Sequence, residues 1–299
     1  VVRQRISWRL HATTLLNESA FKKYYRMSLT TFEELLCIVG PYLVVDYYQS
    51  LRRSYIVSPL TPAGMLQCAL SWLAGGSYHH VRVITGVSTA TFYRVVYRVM
   101  FAINDSGRLA PQFPINLEEM KQVAKEFQSR SNHGVIEDCI GVIDGWLCPI
   151  RVPVDSPGGM NDSYAFQRWR LIKVLQNIDG KYFVIGDNAY VQSKRVMTPF
   201  NKAQLVDHAD RDSYNFHISQ LRIRIEMAFG LLVNKWRIVK QHLHVRLRHC
   251  RIIISACMRL HIFLYHSTLC RISITSRSSF SLNYSGSTRM ESSGYIGLR

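Results

Sequence analysis

The strongest constraint on this chain is CIGVIDGWLCPI, residues 139–150, an almost wholly apolar run that contains one carboxylate, Asp144. A run that is continuously apolar keeps both faces of an extended segment from water, so it predicts a buried strand. An ionised aspartate inside such a strand is costly unless something cationic meets it. A second run, KYFVIGDNAYV, puts Asp187 just after Tyr182, Phe183, Val184 and Ile185. Two carboxylates at strand ends converge if the strands are neighbours. The third segment is NFHISQLRIRIEMAFGLLVNKWRIV, in which Leu221, Ile225, Phe229 and Leu232 share one helical face beside Glu226. Between Ser213 and Ile262 there are nine lysines and arginines and a single acid, Glu226. A lone carboxylate in a basic helix suits a metal ion lying beside a phosphate backbone.

Each acid has a plainer explanation when taken singly. Asp144 before Gly145 fits a strand-end turn, Asp187 before Asn188 fits another turn, and Glu226 fits an i, i+4 partner of Arg222. Their joint order, strand-Asp, strand-Asp, helix-Glu, in a basic chain is what points to a two-metal nuclease site. Lysine and arginine number 37 against 20 acids, a net charge of +17. Charge of that sign attracts a polyanion, and nucleic acid is the first partner to consider, although ribosomal and membrane-surface proteins share the property. The longest apolar run, from Arg251 to Met258, meets Arg259 well short of the roughly 18 residues of a membrane span. The start, VVRQRISWRL, reads as a fragment start and not as a secretory leader. The seven cysteines are scattered without a C-x-x-C pair, which argues against a disulfide framework or zinc knuckle and fits a reducing intracellular compartment.

Along the chain, residues 1–58 read as a helical lead-in, with a capped helix starting at the threonines ahead of Phe32. Over 59–106, Thr61-Pro62 opens a helix that stops at Gly75-Gly76, SYHHVRVIT ends at Gly86, and Ser88 caps a third helix. In that third helix Phe92, Val95, Val96 and Val99 form the apolar face and Arg94 and Arg98 share another. The pattern is helix-turn-helix grammar, and equally that of a small helical bundle. Residues 107–137 form a connector with a helix whose acidic start suits the helix dipole. Residues 138–266 carry the three acids, and 267–299, with ten serines, read as a disordered tail.

The strings GVIDGW, PGGMNDSYAF, VIGDNAYVQSKRVMTPF and NFHISQLRIRIEMAFGLLVNKWRIV, followed by IIISACMRLHIF, resemble the successive motifs of PIF/Harbinger DDE transposases and of the Harbinger transposase-derived nucleases. The resemblance runs from about Thr61 to Phe263. It implies an α/β protein in which a helix-turn-helix region precedes a ribonuclease-H-like DDE catalytic domain, nuclear location, DNA as substrate and a divalent cation, Mg2+ or Mn2+. Carried over by position, Asp144, Asp187 and Glu226 become the catalytic triad, and Asp162 a further metal-site acid. Two ions about 4 Å apart would activate the attacking oxygen and stabilise the leaving one. Arg222, Arg224, Lys235 and Arg237 become candidates for phosphate contacts. A Myb-like partner protein that brings the nuclease to DNA is implied as well, and no membrane.

The chain also departs from that family. Only RVPVDS separates Ile150 from Pro157, where the family has about thirty further residues, enough for two strands. Their loss predicts a truncated sheet with residues 139–150 as an exposed apolar edge. A catalytically inactive DNA-binding relic is therefore the alternative reading. Val233 stands where the family often has a basic residue, and Asn161 where it often has His.

Overall fold

The computed structural model describes residues 4–53, 58–150, 170–178, 180–269, 279–285 and 294–295. Two compact units are present, each gathered from separate pieces of chain.

The first unit comprises Val1–Ala110, Val233–Gln241 and Ile252–Thr268. Its helices are α1 (Trp8–Asn17), α2 (Phe21–Tyr25), α3 (Leu29–Leu43), α4 (Tyr47–Arg53), α5 (Pro62–Leu73), α6 (Tyr78–Ile84) and α7 (Thr89–Asp105). Local chemistry sets their ends. Thr61 Oγ1 accepts the Gly64 N–H at 3.2 Å with Pro62 in the first turn, and Ser88 Oγ accepts the Thr91 N–H at 3.2 Å. For α3 the cap is Ser28, whose Oγ accepts the Thr31 N–H at 3.2 Å, and not a threonine as expected. The extended backbone at Ser28 is what leaves its hydroxyl facing the first turn.

The C-termini of α5 and α6 close alike. Gly75 donates to Trp72 O and Gly76 to Ser71 O, while Gly86 donates to Val83 O and Val87 to Arg82 O. Each is a Schellman closure with a left-handed glycine, φ +101° at Gly75 and +64° at Gly86. Helix α5 is buried almost all round, from Met65 to Leu73, and α7 buries the face expected of it, Phe92, Val95, Val96 and Val99. Around Trp8, stacked on Phe32 at 4.5 Å, an aromatic cluster with Phe21 and Tyr25 joins α1, α2 and α3.

The second unit comprises Pro111–Leu232, His242–Arg251 and Leu269–Arg299. Helix α8 (Leu117–Gln128), capped by Asn116, packs against strand β1 (Cys139–Pro149). There follow α9 (Arg170–Gln176), β2 (Phe183–Ile185), β3 (Val196–Met197) and α10 (Ala209–Lys235), whose last three residues fall in the first unit. Helix α11 (Leu247–Leu269) likewise begins in this unit and continues in the other. Strands β4 (Ser279–Ser285) and β5 (Gly294–Tyr295) complete a sheet of order β3-β2-β1-β4-β5. The pairs β1/β2, β2/β3 and β1/β4 are parallel and β4/β5 is antiparallel. The architecture is thus a mixture of helices and a small, mainly parallel sheet, compatible with α/β.

Two expectations are corrected here. Strand β1 is not an edge, because β2 pairs on one side and β4 on the other, with Asp144 opposite Phe280. Nor is the tail devoid of structure among its described residues, since it supplies β4 and β5. The physical reason is that an apolar strand leaves a row of N–H and C=O groups that must be paired. The missed signal was the period-two alternation Phe280, Leu282, Tyr284 between small polar residues.

Loop geometry then fixes α10 against the sheet. Asn215 on α10 accepts the Phe200 N–H at 2.8 Å and donates back to Phe200 O at 2.9 Å. The guanidinium of Arg195 donates to the carbonyls of Ile178, Gly180 and Tyr182, closing the turn that leads into β2. Helix α10 is apolar on two flanks, with Ile218, Leu221, Ile225, Phe229 and Leu232 buried and Phe216, Ile223, Met227 and Leu231 exposed.

Gly75 offers a direct check on the first unit. A Cβ there would lie 2.7 Å from the Arg237 Cβ, on a backbone at φ +101°. Gly75→Ala is expected to lower unfolding stability by about 1–3 kcal/mol, measured as a shift of the urea midpoint.

Candidate active site

Packing brings the three acids onto one side of the second unit. In β1, Asp144 and Trp146 are two residues apart and so lie on the same face of the strand. Trp146 stacks on Phe229 of α10, ring centroids 6.0 Å apart and planes 21° from parallel. Phe229 lies one turn beyond Glu226, and Arg222 one turn before it, so this stack aligns Arg222 and Glu226 with the strand face that carries Asp144. Strand β2 delivers Asp187 beside β1. Gly186 makes that close approach feasible, because a Cβ there would stand 2.8 Å from Tyr190 Cδ2 and 3.3 Å from Ile143 Cγ1.

The electrostatics of Asp144 record the result. Its carboxyl is raised from an ordinary 3.8 to about 6, chiefly by burial. Arg222 pulls the other way. Asp187 then raises it, the Gly145 N–H lowers it and Glu226 raises it. Both other acids are therefore within electrostatic reach of Asp144 as like charges. Asp144 Oδ1 accepts the Gly145 N–H at 2.9 Å. Asp187 Oδ1 accepts the Ala189 N–H at 3.0 Å, the turn geometry that a plain strand-end aspartate also makes. Glu226 is half-exposed and meets Arg222 Nη2 at 3.6 Å.

Asp162 lies outside the described residues, as does the short segment after Ile150. The phosphate-contact candidates occupy different surroundings. Arg224 is exposed on α10, whereas the Arg222 side chain is only 22% exposed and turned to the acids. In the first unit, Arg237 is exposed and its stem packs over Gly75. Lys235 is half-buried there, its ammonium lowered by burial and then by the charge of Lys22. It also depresses His261, which burial chiefly holds at about 4. Sequence reasoning placed Arg222 among the DNA contacts, yet its i, i+4 spacing from Glu226 already carried the signal of membership in the acid cluster.

Residues 114–261 match the family model of the DDE superfamily endonucleases. Asp144, Asp187 and Glu226 all fall inside that stretch. No curated protein and no solved structure matches the chain significantly. The match supports a transposase-type nuclease domain over those residues, for which DNA is the implied substrate. Among the described residues no helix is long and apolar enough to cross a membrane.

Endonucleases of this superfamily generally use divalent metals. The donors here are carboxylate oxygens, the set that hard cations prefer. Among the described residues, however, no three His, Cys, Asp or Glu side chains stand close enough to hold one ion. As folded here the acids therefore match a divalent cation in chemistry and not in separation, and the positive charge among them is that of Arg222.

The raised Asp144 carboxyl yields a pH-dependent outcome. A carboxyl raised from 3.8 to about 6 favours folding when protonated, so its benefit is complete below about pH 4 and lost as pH rises through about 6. Asp144→Asn removes the cost of the buried charge. Its urea midpoint is expected to exceed that of the wild type above about pH 7, with the difference fading towards pH 4. Equal midpoints at both ends would show that Asp144 is not desolvated.

Proposed function

We propose that this chain is a DNA endonuclease of transposase type, similar to the Harbinger transposase-derived nucleases, with Asp144, Asp187 and Glu226 as its catalytic carboxylates. The observation that carries the reading is that Asp187, just beyond β2, and Glu226 on α10 both act as like charges on Asp144 of the adjacent strand β1, inside the stretch that matches the DDE superfamily endonucleases. In this reading the catalytic domain is ribonuclease-H-like with a shortened sheet, Mg2+ or Mn2+ is the cofactor, and Asp162 is a fourth metal-site acid. Asp144, Asp187 and Glu226 would be the oxygen donors to that cation, although the three do not stand close enough to hold one as folded here.

The remaining parts of the reading rest on charge and resemblance. A net charge of +17 supports binding to the phosphate backbone. Arg224 and Arg237, both exposed, are the arginines best placed to contact phosphates without reading sequence, and Lys235 is the more enclosed candidate. Helices α5, α6 and α7 serve as a helix-turn-helix-like region, with exposed Arg94 on α7 available to DNA. Nuclear location and a Myb-like partner protein complete the proposal.

A second reading is favoured by one specific observation, the ion pair of Arg222 with Glu226 at 3.6 Å in place of a closed acid cluster. In that reading the chain is a DNA-binding relic without catalysis. Nicking of supercoiled plasmid DNA in Mg2+ or Mn2+ separates the two. If the nuclease reading holds, Asp144→Ala, Asp187→Ala and Glu226→Ala each lower nicking by more than about 100-fold. Non-specific DNA affinity in these variants stays within about twofold of the wild type, because the basic surface is untouched. Wild-type protein that binds DNA and cuts none of it at either metal supports the relic, and full activity in the three variants removes the site assignment.

A further inference from the structure

We propose that a cavity in the first unit binds a terminal nucleotide, a phosphate monoester carried on an apolar ring, with Arg5, Arg94 and Arg98 meeting the phosphate. The site stands on its own lining, and only the choice of a cleaved DNA end as its source rests on the nuclease reading.

The cavity measures about 520 Å³ and is lined from the start of the chain, the turn between α3 and α4, the stretch leading into α5, and α7. That volume lies within the roughly 300–1,000 Å³ common to ligand sites. Arg5, Arg94 and Arg98 line it beside a single acid, Asp46, which leaves a surplus of two positive charges. Asp46 is turned to another task. Its Oδ1 accepts the Gln49 N–H at 2.9 Å in the first turn of α4, and no ion pair joins it to Arg94 or Arg98 among the described residues.

Backbone carbonyls hold two of the arginines in place. Arg98 donates from Nε and Nη2 to Tyr42 O, at 3.3 and 3.2 Å, and from Nη2 to Val44 O at 2.9 Å, just beyond α3. Its Nη1 is left without a partner among the described residues. Arg5 donates to Ser58 O at 3.3 Å and to Gly86 O. Side chains fixed in this way lose little freedom when an anion arrives, which is how preorganisation raises affinity. Arg94, one turn before Arg98 on α7, is exposed and makes no hydrogen bond or ion pair among the described residues. Its planar fork is therefore open for two parallel bonds to phosphate oxygens.

Charge selects the anion. A phosphate monoester carries about −1.5 to −2 at pH 7, close to the surplus in the cavity, whereas a phosphodiester within a strand carries about −1. Leu60, Met65 and Val95 supply apolar lining that a bare phosphate would leave uncovered. Met65 brings a thioether, which packs favourably on aromatic rings, so a nucleobase suits that lining. Hydrolysis of a phosphodiester leaves a phosphate monoester on one of the two new ends, so the proposed endonuclease would itself supply the ligand.

The test is calorimetric titration of the full chain in EDTA, where metal-dependent cleavage does not consume the probes. Those probes are deoxyadenosine 5′-monophosphate, deoxyadenosine, inorganic phosphate, a phosphoserine peptide, and short single-stranded DNA with and without a 5′-phosphate. The nucleotide is expected to bind about tenfold more tightly than either the nucleoside or inorganic phosphate. In Arg94→Gln its advantage over the nucleoside falls to about threefold or less. Arg108→Gln, which removes an exposed charge of the same unit outside the cavity, keeps the advantage. A similar gain for 5′-phosphorylated over 5′-hydroxyl DNA, lost in Arg94→Gln, supports the site with a DNA end as the source. The gain on the mononucleotide alone supports it with free nucleotide as the source. The ligand comparison is made on wild type, so it decides even if Arg94→Gln fails to fold.

Equal affinity for nucleotide and nucleoside overturns the inference and leaves the nuclease reading standing, since plasmid nicking tests that reading separately. Inorganic phosphate or the phosphoserine peptide binding as tightly as the nucleotide overturns the nucleotide assignment. An equal loss in Arg94→Gln and Arg108→Gln overturns the site in favour of general charge.

Discussion

The second unit depends on how an apolar central strand accommodates one carboxylate. Strand β1 buries Ile140, Val142, Ile143 and Cys148, and the same strand must carry Asp144. Desolvation raises that carboxyl to about 6, so burial is the largest influence on it and no neighbour fully offsets it. What surrounds Asp144 follows from this cost: a backbone N–H from Gly145, a guanidinium from α10, and a sheet position with neighbours on both sides. The Trp146–Phe229 stack sets which turn of α10 faces the strand. One turn of slippage would put Glu226 in the place of Arg222, or Arg222 in that of Glu226, and so change the charge that faces Asp144.

The first unit is organised by a different constraint, the closing of short helices at defined residues. Serine and threonine caps start α3, α5 and α7, and left-handed glycines end α5 and α6. These devices act within four or five residues, so they hold whatever the rest of the chain does. Tertiary packing then uses them. The missing side chain at Gly75 gives room to the stem of Arg237, contributed from far along the sequence. Asn104 and Arg259 make similar long-range ties, to Ile252 O and Ser106 O.

The legibility of the fold follows the range of the interactions. The cap at Ser88, the glycine stops and the buried face of α7 were readable because each is a local pattern with a local physical cause. The partner of β1 across from β2 was not readable, because nothing in residues 139–150 names the segment that pairs with it. The tail's alternation of Phe280, Leu282 and Tyr284 was visible only as a weak strand signal inside serine-rich sequence. The candidate site divides in the same way. Asp144, Asp187 and Glu226 stand out by type and context, whereas the enclosure of Arg222 depends on side chains from two elements meeting.

By itself the sequence determined the ends of α5, α6 and α7, the apolar strand with its single acid, the basic helix with its single acid, and a positive charge suited to a polyanion. Those properties depend on residues adjacent in the chain or one helical turn apart. Tertiary structure alone decided that residues 233–241 and 252–268 join the N-terminal helices, that the tail pairs with β1, and that Arg222 turns to the acids. Each of these is a contact between distant segments, chosen by which apolar faces and unpaired backbone groups could be buried together, and no local pattern encodes that choice.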